Sequence, residues 1–379
     1  MNRNTHRGPR WAALVLGMAA LLAAVVPAAP AAHAAGMYDN AVQQAAGWVA
    51  GQQQAGGSYP GFGVGSSADA VIALVAAGHS NPTSAATKRA LDYLAGQAAA
   101  YAKTPGAAAK LILAFDAATG ATADVQHVGG VNLEQVITGG YDAATGQYGK
   151  DVTGHALSIL ALTDLGQPLG AKALDWLRQT QGSEGGWAFD GSKGPGSADT
   201  NTTGLVLQAL AAAGAKSDPV VPKALAYLHG QQNSDGGFAY QKGPDAASDS
   251  NSTGMVGMGL IAVGEDPAAW QQGGAGPLDF LVHLQNASGA LRYQAAQAED
   301  NGGATYQAIP ALAGLALPLP HTLANGTAPV IAPAPGGAPA PGMPTTGNGP
   351  DPAIPVGLLL AGLVLVLSGR RLAARRGED

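Results

Sequence analysis

The chain has 379 residues, no cysteine, and 19 basic against 25 acidic side chains. Zero cysteine excludes disulfides, thiolate zinc sites, iron–sulfur clusters and cysteine nucleophiles together. Arg3, Arg7, Arg10, Arg370, Arg371, Arg375 and Arg376 sit at the two ends, with Asp351, Glu378 and Asp379 near the C-terminus, which leaves 12 basic against 22 acidic groups in the middle, a poor match for nucleic acid or an anionic membrane surface.

At the N-terminus, three arginines precede an apolar run from Trp11 to Val26, and the following stretch ends in Ala32-His33-Ala34. That order is a secretory signal peptide over residues 1–35, with a small-x-small cleavage site.

The body, residues 36–321, repeats itself. Arg89-Ala90-Leu91-Asp92-Tyr93-Leu94 realigns with Lys172-Ala173-Leu174-Asp175-Trp176-Leu177, with Lys223 to Leu228 and with Pro277 to Leu281. Gly47-Trp48-Val49 is a fifth copy, and a degenerate sixth opens near Asn132. Apolar residues recur three and four apart, so the units are helical. Each unit holds two helices. The first carries the aromatic and runs through glutamines into a Gly-rich turn such as Gly185-Gly186-Trp187 or Gly236-Gly237-Phe238. The second opens on a cap, as in Asp151-Val152-Thr153, Asp199-Thr200-Asn201 and Asp249-Ser250-Asn251, and then turns apolar. The second helices are Ala- and Gly-rich throughout, as an inner layer crowded on both sides requires, whereas the first are amphipathic. Neither end of the array shows the polar cap that an open solenoid needs. The expected fold is all-α, an α/α toroid of about six hairpins with inner and outer helical barrels.

After the body come a Pro/Ala/Gly-rich linker (322–342), the pentapeptide Met343-Pro344-Thr345-Thr346-Gly347, an apolar segment (352–368) and a basic tail (369–379). The linker is too poor in large apolar groups to pack. The apolar segment reads as transmembrane, with the arginines after it keeping the tail cytoplasmic. Motif, span and positive tail in this order resemble a sortase cell-wall sorting signal, with Met343 where that family has Leu. The resemblance implies cleavage between Thr346 and Gly347 and attachment to peptidoglycan, so that sortase and peptidoglycan become partners and the body is displayed on the extracellular face. A plain C-terminal membrane anchor is the alternative.

Lys172-Ala173-x-x-Trp176-Leu177-x-x-x-Gln181-x-x-x-Gly185-x-Trp187 resembles the QW repeat of squalene and terpene cyclases, found in looser form in prenyltransferases. Lys223 to Phe238 matches it with Phe in the last place. The resemblance implies the toroid over most of the body, with Gln and the aromatic tying adjacent hairpins together. Asp199 to Leu210 and Asp151 to Thr163 are similar to the inner helices of the cobalamin carriers intrinsic factor and transcobalamin. That second likeness makes a corrinoid a possible ligand, although the small β-rich C-terminal domain of those carriers has no room here.

The chemistry of these relatives leaves signatures that can be read directly. The Asp-x-Asp-Asp acid of class II cyclases, the magnesium-binding Asp-Asp-x-x-Asp of class I, and the cysteine of zinc prenyltransferases or thioester proteins are all absent. No metal site and no cofactor are expected, since the Asp190–Asp199 and Asp245–Asn251 loops lack calcium-loop spacing. What remains is a polar ring. Asp69, Asp151, Asp199, Asp249 and Asp300, with Asn201 and Asn251, are expected at or near the starts of second helices that converge on one mouth. Tyr59, Phe62, Trp187, Phe189, Phe238, Tyr240 and Tyr293 from the turns are expected to line it, and His155 to face the cavity as ligand or base, or else to lie in the core. Clustered carboxylates and rings suit a glycan or a small amphipathic molecule such as a corrinoid or isoprenoid. The expected function is therefore a surface-anchored binding toroid without catalysis. The alternatives are a divergent terpene cyclase or prenyltransferase-like enzyme, a glycan-active hydrolase with paired acids, and a structural spacer. The oligomeric state is not readable from the sequence.

Overall fold

A computed structural model describes residues 37–78, 84–120, 122–321 and Leu323. The segments read as signal peptide, sorting motif, membrane span and basic tail, and nearly all of the linker, lie outside the described residues. Among those described, no helix is long and apolar enough to cross a membrane.

Twelve α-helices form six hairpins among the described residues. The outer helices are α1 (Asp39–Gly51), α3 (Ala85–Tyr101), α5 (Leu133–Gly139), α7 (Ala173–Thr180), α9 (Val220–Gln231) and α11 (Pro277–His283). The inner ones are α2 (Val64–Ala76), α4 (Pro105–Thr119), α6 (Val152–Asp164), α8 (Thr200–Ala212), α10 (Ser250–Val263) and α12 (Gly302–Leu312). Each inner helix packs on the next, and α12 returns to α2 while α1 packs on α12. The ring is closed, and the chain is an α/α toroid. The degenerate third unit folds as α5, capped by the Asn132 side chain accepting from the Gln135 N–H at 2.8 Å. A two-residue antiparallel ladder, β1 (Tyr141–Asp142) with β2 (Gln147–Tyr148), fills its turn, too short to have shown any alternation in the sequence.

The two layers differ because their surroundings differ. Outer helix α7 buries Ala173 and Leu177 and leaves the rest of its surface wetter, whereas every residue of α8 from Thr200 to Leu210 is buried. An inner helix touches two inner neighbours and its outer partner, so small residues are needed where the axes approach. Gly106 of α4 meets Gly154 of α6 so closely that a Cβ on Gly106 would lie 2.7 Å from the Gly154 Cα.

Glutamines lock hairpin to hairpin. Gln181 Nε2 donates to the Gly185 carbonyl of its own turn at 2.7 Å and to the Val220 carbonyl of the next outer helix at 2.8 Å. Gln232 repeats this with Gly236 and Trp270, and Gln53 with Gly57 and Ala86. Gln285 closes the circle, donating to Gly289 and, across 244 residues, to the Ala41 carbonyl of α1, both at 2.8 Å. The adjoining turn needs glycine: Gly289 has φ +94°, and a Cβ there would overlap the Gln44 carbonyl.

Candidate functional site

Because the inner helices run in parallel around the ring, their first turns share one end of the barrel. The leading backbone N–H groups of α6, α8 and α10 are already taken. The Val152 N–H donates to the Phe189 carbonyl at 2.9 Å, Thr200 to Tyr240 at 3.0 Å and Ser250 to Tyr293 at 2.9 Å, so each turn covers the start of the preceding inner helix. The capping acids hold the next donors. Asp151 accepts from the Gly154 N–H at 2.6 Å and Asp199 from Thr202 at 2.7 Å, while Asp249 accepts from both the N–H and the hydroxyl of Ser252 at 2.8 Å. Asp199 and Asp249 are buried, and loss of water pushes each up to about 6 against the hydrogen bonds that favour the anion.

Several expected mouth residues are therefore structural. Trp187, Phe238 and Tyr59 are buried between hairpins, with Trp187 Nε1 donating to the Leu177 carbonyl at 2.8 Å. The backbone N–H groups of Tyr59, Trp187 and Phe238 donate to the side-chain hydroxyls of Ser67, Thr203 and Thr253. His155 faces α7 rather than the cavity. Its Nδ1 accepts from the Tyr148 N–H at 2.9 Å, its Nε2 donates to the Ala173 carbonyl at 3.0 Å, and its ring packs on Tyr148 and Trp176. Burial drives it down to about 4, so it is a neutral core side chain at physiological pH. Asp300 is exposed and accepts from Asn286 and Ser288 in the turn before α12, where Asn301 is the cap. Phe189, Tyr240 and Tyr293 stay half-buried over the helix starts, and Phe62, just before α2, is 73% exposed.

Asp69 is not at a helix start but within α2, and that position gives it a partner. Counting six residues from each cap gives Asp69, Lys110, Leu157, Leu205, Met255 and Gln307, and all six line the central lumen. Lys110 Nζ donates to Asp69 Oδ2 at 2.7 Å, with side-chain exposures of 8% and 18%. Gln307 Oε1 accepts from Asn251 Nδ2 at 2.7 Å, whereas the buried Asn251 Oδ1 has no hydrogen-bond partner. Asn201, buried at the matching place in α8, accepts from the Thr200 hydroxyl at 3.2 Å. The lumen is thus polar on α12, α2 and α4 and apolar on α6, α8 and α10. Its cavity is about 30 Å³, enough for roughly two waters; counted together with its open mouth, the empty space is about 460 Å³. Leu317, whose N–H donates to Gln208 Oε1 at 3.0 Å, reaches the lumen from the segment after α12. Lys110, Gln307 and Tyr306 were not among the expected site residues. Lys110 did leave a signal, as a lone charge in the apolar run Ala107–Ala114.

A ring of parallel inner helices around a half-polar lumen defines the α/α toroid class that includes terpene cyclases and glycan hydrolases. Within that class the chain belongs to the squalene-hopene cyclase C-terminal domain family, whose pattern matches residues 103–303. No curated protein matches the sequence. Among solved structures the fold is similar to an α-1,6-mannanase, GH76A of Salegentibacter sp. HEL1_6, at TM-score 0.55 and 11% identity over 73% of this chain and 98% of that one. It is also similar to the unsaturated glucuronyl hydrolase of Bacillus sp. GL1, which degrades glycosaminoglycan, at TM-score 0.53 and 12% identity over 73% and 96%. A variant of the type II terpene cyclase MstE from Scytonema matches at TM-score 0.51 and 14% identity, again over 73% and 96%.

Proposed function

We propose that the protein is a binding module, without a reaction of its own, that takes a glycan across the mouth of the toroid. The size of the lumen carries this reading. A cavity of about 30 Å³ encloses neither a corrinoid nor a folded isoprenoid, so a ligand lies over the mouth. An isoprenoid lying there needs a contiguous apolar patch, yet Met37, Phe62 and Val282 are the exposed large apolar side chains among the described residues. A sugar needs ring faces and hydrogen-bonding groups in combination. Phe62, Phe189, Tyr240 and Tyr293 supply the first, and Asn201 and Asn251 in the first turns of α8 and α10 the second.

Membership of a cyclase family favours an enzyme as the second reading. Against it, Asp69 is committed to Lys110 and is the one carboxylate among the lumen-lining residues, whereas glycoside hydrolysis uses two acids and cationic cyclisation a free one. The deciding experiment is calorimetric titration of the full chain with α-1,6-mannotriose and a panel of cell-surface glycans. Binding is expected, weakened about tenfold or more by Phe62→Ala or Tyr240→Ala, the loss of one ring contact. Turnover of the mannotriose or of squalene moves the protein to the enzyme reading. No binding across the panel leaves the structural spacer.

The proposal extends to location. Secretion through residues 1–35, the linker 322–342 and anchoring through Met343-Pro344-Thr345-Thr346-Gly347, with residues 352–368 and 369–379 as transfer stop, would hold the ring outside the cell. Its support is the order of these segments in the sequence. Mass spectrometry of wall fragments should find Thr346 amide-linked to wall peptide, and recovery of intact Arg376 on the membrane-bound protein leaves the plain anchor.

A further inference from the structure

At the other end of the barrel, three groups of metal-binding type meet. Asp116 lies in the last turn of α4, Asp164 ends α6, and His321 belongs to the segment that leaves α12 and passes under the lumen through Leu317. One ligand atom from each lies within 4.8 Å of the other two. His321 Nε2 donates to Asp164 Oδ1 at 2.9 Å, with the Asp164 side chain only 5% exposed. Asp116 is 1% exposed, and neither of its carboxylate oxygens has a hydrogen-bond partner. A doubly orphaned buried carboxyl calls for an unrecorded partner, and a bound cation is the partner that also satisfies Asp164 and His321. The C-terminal ends of two helices add partial negative charge at the same spot.

We propose that Asp116, Asp164 and His321 form a site for a divalent cation of the zinc or manganese class, which ties the C-terminal segment to α4 and α6 and closes the floor of the lumen. Two carboxylates balance the charge of a dication. The imidazole selects against calcium and magnesium, which prefer oxygen alone. Three protein ligands leave a coordination position for water.

The test uses the full chain, stripped with EDTA and titrated separately with zinc chloride and manganese chloride in a calorimeter. Expected are one ion per chain, a measurable heat of binding, and a Tm rise of about 5 °C at a hundredfold excess over Kd. His321→Ala and Asp116→Asn should each weaken binding about tenfold or more. The metal-free Asp116→Asn protein should unfold at or above the wild-type temperature, because it no longer buries an uncompensated charge, and this separates lost binding from lost folding. No heat and no Tm shift with either ion overturns the site, as does binding that both substitutions leave unchanged. Tighter binding of calcium or magnesium overturns the ion class.

Discussion

Asp249 caps α10, yet it is buried enough that its carboxyl rises from 3.8 to about 6. A raised acid binds protons more readily in the folded chain than in the unfolded one. Its contribution to stability is therefore fully present below about pH 4 and lost as pH rises through about 6; Asp199 behaves alike. His155 has the opposite sign. Its pKa falls from 6.5 to about 4, so the unfolded chain binds more protons between those values, and stability is lost as pH drops from 6.5 towards 4. Asp249→Asn keeps a good cap and removes one of the opposing titrations. Urea unfolding from pH 4 to 7.5 should then show stability falling less steeply with pH than in the wild type. Asp249→Ala, which loses the cap, should cost about 1–2 kcal/mol at pH 7.5. An unchanged pH profile in the Asn variant would mean that Asp249 is ionised throughout.

At the scale of elements, the repeated Gln is the joint between hairpins, and Gln285 is the joint that makes an array into a ring. In an open array its position faces solvent, where substitutions change stability by roughly 0.5 kcal/mol or less. In the closed ring it satisfies the Gly289 and Ala41 carbonyls together. Gln285→Ala should therefore cost about 1–3 kcal/mol, comparable to Gln181→Ala in the middle of the chain. Denaturant midpoints of the two variants check this directly, and a silent Gln285→Ala would contradict closure. The capping acids, the Gly-rich turns and the QW glutamines were all legible because each acts within one hairpin or on its immediate neighbour. The placement of Asp69 was not, since a helix interior and a helix start look alike in a segment opened by Gly63 rather than by an acid.

For the whole molecule, the lumen depends on the Asp69–Lys110 pair staying dry. Removing one member of a buried pair strands the other, at about 3–5 kcal/mol, whereas replacing both with apolar groups is close to neutral. Lys110→Met should show the large loss in denaturant unfolding, and Asp69→Leu with Lys110→Met should recover most of it. A loss below about 1 kcal/mol for the single change would put the pair in contact with bulk water and make the lumen wider than its roughly 30 Å³. A glycan seated over the mouth should leave this pair's energetics nearly unchanged, whereas a ligand threaded into the lumen would not.

Hairpin number, helix type, caps and turns come from the sequence alone, because each is written in residues within a few turns of one another. The tertiary structure decided what those residues are free to do. Donors in the first turns of their own helices take up the capping acids, and His155 is held by two backbone groups, so neither is left for a ligand. Lys110 meets Asp69 across 41 residues and His321 meets Asp164 across 157. Such pairings, and the bore of the lumen, depend on how closely parallel inner helices approach at contacts like Gly106 on Gly154. That distance is a property of two packed surfaces, and no single stretch of chain contains both.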